Sequence, residues 1–543
     1  MYKRKRKHGP QAMRDIGAVA SGASAVGQGP PRPDEPRVAI AAEVGANRDA
    51  IINVLGNPPD LALREFSFGI DQPVHCLVAY IDGLTDPVAV ADHLIEPLMM
   101  APRLAVRDTA VTRSNAMDMI SERLASVWHL LVETDLGKAV KAMLEGVCLV
   151  FVDGCDRCLE VGRKEPPKRQ ITTTETEQVI RGPREGFTET LRDCTGLVRK
   201  RLATPALRFE TLSIGRLSNT AVSIVWLQGV ANDKIVAEVR RRLQRIDIDG
   251  IMDGAYIEEL IEDQPYSPFS TVYHTERPDA FCAHLLEGRV GILVDGSSQA
   301  LVVPATMVMF FQTSEDYYTR FHLTILIRFI RLMASFNSLL LPPVYIAATT
   351  FHHNLIPTAF LLSIAAGRES VPFPAVVEAL FMVFTFEAVR EAGIRLPGII
   401  GQTVSIVGAL VIGQAVVSAG VVSPIMVIII ALTEVGSFAV PAYDMAATLR
   451  LLRYPLMLLA ATLGMFGIAV GLLALLIHLC CLRSFGVPYL SGLTPLTARS
   501  AKDIFIRAPW PQMKFRPRPT AQKHAERQSQ RSGPQRPKRG ERT

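Results

Sequence analysis

One stretch restricts this chain more than any other: Pro397–Pro424, PGIIGQTVSIVGALVIGQAVVSAGVVSP, which holds no ionisable side chain. About 20 apolar residues suffice to cross the hydrocarbon core of a bilayer. The stretch also carries Gln402, Thr403, Ser405, Gln414 and Ser418, polar groups that in lipid need partners on other helices or water. At about 100° per residue, Gly401, Gly408, Ala415 and Ala419 share one face. Small residues there let another helix approach closely. Gln402, Ser405, Ala409, Gly413 and Gly420 share a neighbouring face, narrow and partly polar. From these residues alone two readings stay open: a tightly packed helix inside a bundle, or a helix lining a water-filled path.

The flanking sequence is built for the same environment. Arg328 and Arg331, one turn apart, precede LMASFNSLLLPPVYIAATTF, a span leaving the cytoplasm and kinked or broken at Pro342-Pro343. Phe351–Pro374 reads as a loop with a short amphipathic helix. Ala375–Val389 is apolar but interrupted by Glu378 and Glu387, and Ile425–Val440 contains Glu434. Leu456–Leu482 reads as one further span. A carboxylate in hydrocarbon is costly, so these three glutamates should face a partner, a cavity or an interface; Arg390, one turn from Glu387, is an obvious partner. The parity of the spans conflicts. Arg390/Arg395 and Arg450/Arg453 favour cytoplasmic loops, giving five spans and an external tail. The tail from Arg499 to Thr543 has 13 Lys/Arg against three acids and itself favours the cytoplasm, which needs four or six. Ala300–Phe311 is a weak sixth segment, short and broken by Pro304.

The first 300 residues differ in kind. Although 49% of all residues are hydrophobic, 20% are charged, and the charge is concentrated outside the spans. Tyr2–His8 is a basic block followed by a Gly/Ala/Ser/Pro linker, Ile16–Pro36, without the apolar core of a secretory signal. A cytoplasmic location follows. His75–Tyr80 reads as a buried strand, with a helix starting near Asp86; Met117–Ala125 and Leu136–Leu144 read as amphipathic helices. Val147–Val152, Asp153-Gly154 and Cys158–Val161 form a β-hairpin signal, because Asp-Gly supplies the positive φ values of a tight turn. After a Glu165-Pro166-Pro167-Lys168 linker the pattern resumes. Ala221–Leu227 is a strand, Asp233–Arg245 a helix charged in the sense its dipole favours, and Val290–Val303 a second Asp-Gly hairpin. The fold class is therefore an α+β cytoplasmic region of two mixed α/β subdomains, followed by an all-α polytopic membrane domain. The boundaries fall at 1–46 (basic, Gly/Pro-rich tail), 47–165, 166–303, 304–490 (membrane helices) and 491–543 (solvated basic tail).

Catalytic signatures are missing: there is no Walker loop, strand-borne GxGxxG, GxSxG or HExxH. Cys155-Asp-Arg-Cys158 is a lone CxxC without a second pair or a suitably spaced histidine, so no metal or other cofactor is expected. Neither an enzyme nor a nucleic-acid binder is indicated.

Several long blocks then carry a resemblance: DLALREF (Asp60–Phe66), YIDGLTD (Tyr80–Asp86), RGPREGFTETL (Arg181–Leu191), TERPD (Thr275–Asp279), EGRVGILVDG (Glu287–Gly296), PATMVMFFQTSEDYY (Pro304–Tyr318), LLLPPVYIAATTFH (Leu339–His352), REAGIRLPGIIGQTVSIVGALVIGQA (Arg390–Ala415) and HLCCLRSFGVPYLSGLTP (His478–Pro495). In this order, from Asn47 to Pro495, the chain resembles the A subunits of the GerA family of spore germination receptors. The resemblance implies a multi-pass protein of the spore's inner membrane with its N-terminal domain in the cytoplasm. It further implies a transporter-like B subunit and a lipoprotein C subunit as partners, and homo-oligomerisation into a nutrient-gated path for monovalent cations. On that reading Gln402, Ser405, Ala409, Gly413 and Gly420 line the path, while Gly401, Gly408 and Ala415 pack against neighbours. The termini match no motif of the family, and Glu434 stands where relatives are expected to carry a small or apolar residue. Rival readings are a carrier coupled to protons through Glu378 or Glu434, which internal repeats would favour and none is evident, and a membrane-anchored scaffold.

Overall fold

The computed structural model describes residues 38–68, 73–99, 116–124, 130–162, 174, 176–395, 411–496, 501–504, 506–516 and 526–528. The apolar runs of the soluble half become two five-stranded sheets. The first contains β1 (Leu61–Phe68), β2 (Val74–Ile81), β3 (Leu130–Glu133), β4 (Cys148–Val152) and β5 (Cys158–Val161), in the order β1-β2-β4-β5-β3. The second contains β6 (Leu207–Ile214), β7 (Thr220–Leu227), β8 (Tyr273–Thr275), β9 (Val290–Val294) and β10 (Ala300–Val303), in the order β6-β7-β9-β10-β8. Every pairing is antiparallel. Ala300–Phe311, the weak sixth span of the sequence reading, is β10 and a short 3-10 turn of this soluble sheet.

Counted within each unit, the two strand orders are identical. Helices recur at matching places: α1 (Val44–Leu55), α2 (Ala116–Leu124) and α3 (Leu136–Leu144) in the first unit, and α4 (Leu191–Arg201), α6 (Gly254–Ile261) and α7 (Pro278–Leu286) in the second, while α5 (Asp233–Gln244), after β7, is matched by the helical residues 87–99 after β2. Leu144-Glu145-Gly146 is matched by Leu286-Glu287-Gly288, and Val152-Asp153-Gly154 by Val294-Asp295-Gly296, at one constant offset. The turn glycines Gly154 and Gly296 hold φ of 90° and 84°, the left-handed values the hairpin requires. Helix starts repeat as well: Asp86 accepts from the Val88 N–H and its counterpart Asn232 from the Lys234 N–H. The soluble half is therefore a duplicated α+β unit.

The two units lock together through α4. The fully buried Arg199 donates to both oxygens of Asp60, at 2.7 and 3.0 Å, and lies over the Phe209 ring. Gly196 sits so close to Gly83 that a Cβ would come within 2.7 Å of the Gly83 oxygen.

Beyond Arg320 the chain is helical: α8 (Phe321–Thr350), α9 (Thr358–Arg368), α10 (Ala375–Arg395), a helix over residues 411–418, α11 (Pro424–Phe438) and α12 (Tyr443–Cys481). α8 continues through Pro342-Pro343 to Thr350, so of the kink or break expected there the break does not occur. α8 and α12 are long and apolar enough to cross a membrane. α12 is interrupted at Gly464, with φ 65° and ψ −143°. Thr448 donates to the Pro268 oxygen, and His478 bonds Ser267, the neighbouring residue, at 2.9 Å. A straight helix would separate Thr448 from His478 by about 45 Å. α12 is thus a hairpin whose arms run out from the soluble half and back. Its turn rests on Phe351 and His352, at the far end of α8.

After α12 the chain rejoins the soluble half. Ser484 accepts from the Ala305 N–H and donates to the Thr271 oxygen. Further on, Asp503 accepts from Tyr317 at 2.9 Å and pairs with Arg328, and Arg516 donates to the Leu286 oxygen at 2.7 Å. This part of the basic tail is packed against protein. Subdomain two and the helices also share one apolar core, running from Phe269, Phe281 and Phe310 to Leu339, Leu449, Leu479 and Tyr489.

Candidate functional site

Residues predicted from the sequence fall in three places. Gly401, Gln402, Ser405, Gly408 and Ala409 lie outside the described residues. On the helix over residues 411–418, Gly413 abuts Val427 of α11, while Gln414, Ala415 and Ser418 are exposed on the single chain. Gly420 is not on that helix: it occupies a left-handed turn, φ 66°, 3.2 Å from the Ser370 oxygen as judged at its Cβ position. The helix ends before it, which removes Gly420 from the polar face assigned by periodicity.

All three glutamates have arginine partners. Glu378, with a side chain 0% exposed, takes the Ser423 N–H at the start of α11 (3.0 Å) and pairs with Arg368 of α9 (3.1 Å). It ties three helices together. Glu387 pairs with Arg390 at 2.8 Å, the one-turn partner expected, and with Arg450 of α12 at 3.5 Å. Glu434 is held by Arg390 and by Arg453, whose side chain is 0% exposed, at 2.9 Å. Three arginines and two glutamates thus form a cross-link of α10, α11 and α12 within the helical half.

Next to this cross-link, between α6, β8 and the first arm of α12, lies a cavity of about 700 Å³. The soluble half contributes Asp253, Glu258, Glu262 and His274; the helices contribute Glu387, Asp444 and Arg450. The positions follow from local structure. Asp253 caps α6 through the Ala255 N–H, which sets Glu258 and Glu262 one turn apart on the same side. His274 is fixed by the pairing of β8 with β10, opposite Leu301. Asp444 stands in the first turn of α12, where a carboxylate is favoured by the helix dipole.

His274 Nδ1 lies 3.1 Å from Asp444 and 3.9 Å from Glu258. Burial would lower the imidazole pKa, but the Asp444 hydrogen bond and the surrounding carboxylates outweigh it and raise the group to about 9. Burial raises Glu258 to about 7 and moves Glu262 upward too, the latter against hydrogen bonds from Thr271. Ser270 donates to Glu258 at 3.0 Å and holds it in place. At neutral pH the site carries a charged histidine bridging the soluble half to α12.

Sequence reasoning missed this cluster because its members lie far apart in the chain, and each looks like an ordinary surface acid or histidine. The one local signal was Asp253 as a helix cap. Cys155 and Cys158 do not converge on it; burial pushes the Cys158 thiol up to about 12.

Comparison with known proteins agrees with the sequence blocks. The GerA family, described as Bacillus/Clostridium GerA spore germination protein, matches residues 49–519. Spore germination protein KA of Bacillus subtilis (strain 168) is 44% identical over 456 residues, 84% of this chain and 82% of that protein. Spore germination protein GerLA of Bacillus cereus is 38% identical over 463 residues, covering 85% and 92%. Half of the chain also aligns with 99% of the crystallised N-terminal domain of the A subunit of the Bacillus megaterium spore germinant receptor GerK3, at 32% identity and a TM-score of 0.40.

Proposed function

The chain belongs to the Bacillus/Clostridium GerA spore germination family, and from that membership we propose that it is the A-type membrane subunit of a nutrient-sensing germinant receptor. It assembles with a transporter-like B subunit and a lipoprotein C subunit in the inner membrane of the spore, and copies of it associate around a cation path. The match over residues 49–519 carries this reading.

The geometry supports its details. The proposed path has six passages: α8 outward, α10 back, an outward passage that ends in the helix over residues 411–418, α11 back, and the two arms of α12. From Arg331 to Phe351, α8 rises about 30 Å, the thickness of a bilayer core. An even count puts the duplicated unit and the basic tail on one side, the cytoplasm, in accord with the contacts of Asp503 and Arg516. The conflict of parity in the sequence comes from taking one span where the chain makes two. Every candidate carboxylate being tied to arginine favours a path lined by small and polar residues over a proton-coupled carrier.

The test is a bulky or charged residue in the stretch, Gly413→Trp or Gly413→Arg, in spores carrying the receptor. Nutrient-triggered K⁺ release slows several-fold or stops at unchanged receptor level. Release at the normal rate contradicts a path along this helix.

A further inference from the structure

Glu258, His274 and Asp444 each offer one ligand atom, and the three atoms lie within 4.8 Å of one another. We propose that they form a divalent transition-metal site that ties the soluble half to α12. One imidazole nitrogen with two carboxylate oxygens is a donor set suited to Zn²⁺, Mn²⁺ or Co²⁺, whereas Mg²⁺ and Ca²⁺ prefer oxygen alone. The His274–Asp444 separation of 3.1 Å, bridged by the Nδ1 proton in the metal-free site, also suits two ligands on one small cation that displaces that proton, and Glu258, 3.9 Å from the ring nitrogen, closes on it by a side-chain movement. Ser270, donating to the other Glu258 oxygen at 3.0 Å, orients that ligand as an outer partner does in established metal sites.

Two further observations point to a ligand. The cluster opens on the cavity of about 700 Å³, where five carboxyl groups face one arginine and one histidine, a balance that attracts cations. That arginine, Arg450, has a side chain 9% exposed, and its Nε is ion-paired with Glu387 at 3.5 Å without making a hydrogen bond. Three protein ligands leave a coordination position for water or an anion, and such a group in the cavity supplies the hydrogen bond that the Arg450 Nε does not get from Glu387. The ligands come from α6, β8 and α12, so a bound metal fastens the joint across which movement of the helices reaches the soluble half.

Co²⁺ serves as the probe, added to the full-length protein in detergent after chelator treatment. Visible absorption reports its coordination, and Zn²⁺ is then used to displace it. The wild type takes up one equivalent, Zn²⁺ bleaches the band and raises the melting temperature. The nearly isosteric Asp444→Asn and Glu258→Gln weaken binding tenfold or more, and His274→Gln does the same. His353→Gln, at an exposed histidine elsewhere, leaves it unchanged. Should the wild type show no stoichiometric band, or should Asp444→Asn and His274→Gln bind as the wild type does, the site is refuted. Because the wild-type titration decides by itself, a variant that fails to fold does not protect the proposal, and the outcome is independent of the receptor assignment.

Discussion

Arg199 and Asp60 show how single residues hold the soluble half together. The guanidinium is wholly buried, and its bidentate pair with Asp60 is the polar seam between the duplicated units. Removing one partner of such a pair strands the other charge, at a cost of about 3–5 kcal/mol. Asp60→Ala therefore lowers the denaturation midpoint of the soluble half sharply, and Asp60→Leu combined with Arg199→Met recovers most of the loss; a single variant as stable as the wild type contradicts the seam. A second residue sets a pH dependence. Burial raises Glu177 from the usual 4.5 to about 7, while Thr275 donates to it at 2.7 Å. With the folded value above the unfolded one, its contribution is complete below about pH 4.5 and is lost as pH rises through 7. Glu177→Gln, which cannot ionise, melts higher than the wild type at pH 8 and no higher at pH 5; equal differences at both pH values contradict the assignment. At this scale the sequence revealed Glu387–Arg390, one turn apart, because the partners are local. It concealed Glu378–Arg368, Glu434–Arg453 and the Glu258–His274–Asp444 cluster, whose partners are brought near only by tertiary packing.

Among elements, the strands and helices with strong composition were legible: Leu136–Leu144, Val290–Val294 and both Asp-Gly hairpins lie where the residues place them. β1, β3, β6 and β8 were not, since they lie toward the sheet margins and mix polar with apolar residues. The internal repeat also escaped, because helices and sheet order are kept while most side chains differ; Leu-Glu-Gly and Val-Asp-Gly are the runs of three that survive at the constant offset. Gly464 was the decisive omission. Gly464, Gly467 and Gly471 are spaced as small residues on a helix and give no turn signal, yet Gly464 lets α12 reverse. A Cβ at Gly464 would lie 2.8 Å from His352, in backbone geometry that costs a non-glycine residue about 1–3 kcal/mol. Gly464→Ala is expected to lower the melting temperature and the yield of folded protein in detergent. A variant indistinguishable from the wild type means that the chain does not turn there.

For the whole molecule, the turn at Gly464 brings both outer ends of α12 to one end of the helices, and the proposed six passages rest on it. Subdomain two, the start of α8, both outer ends of α12 and the tail around Asp503–Arg516 meet at one end of the helices. Gly464, Phe351 and Ser370 with Gly420 lie at the other. Between them the Arg390–Glu434–Arg453 cross-link forms a buried polar layer, beside the contact of the soluble half with α12. The sequence supplied the two halves and the positive charges at their border, but not the reversal of α12 at Gly464, on which the proposed count of passages depends.

The most direct test of this account is the side of the membrane on which two positions lie. In cells expressing the chain with Cys480→Ser and Cys481→Ser, the remaining described thiols are buried or half-buried in the soluble half. Thr462→Cys, exposed beside the turn, and Gln512→Cys, exposed in the tail, are then each treated with a membrane-impermeant maleimide. Six passages predict that Thr462→Cys reacts in intact cells and Gln512→Cys only after permeabilisation. Labelling of Gln512→Cys in intact cells, or protection of Thr462→Cys until the membrane is opened, contradicts the account.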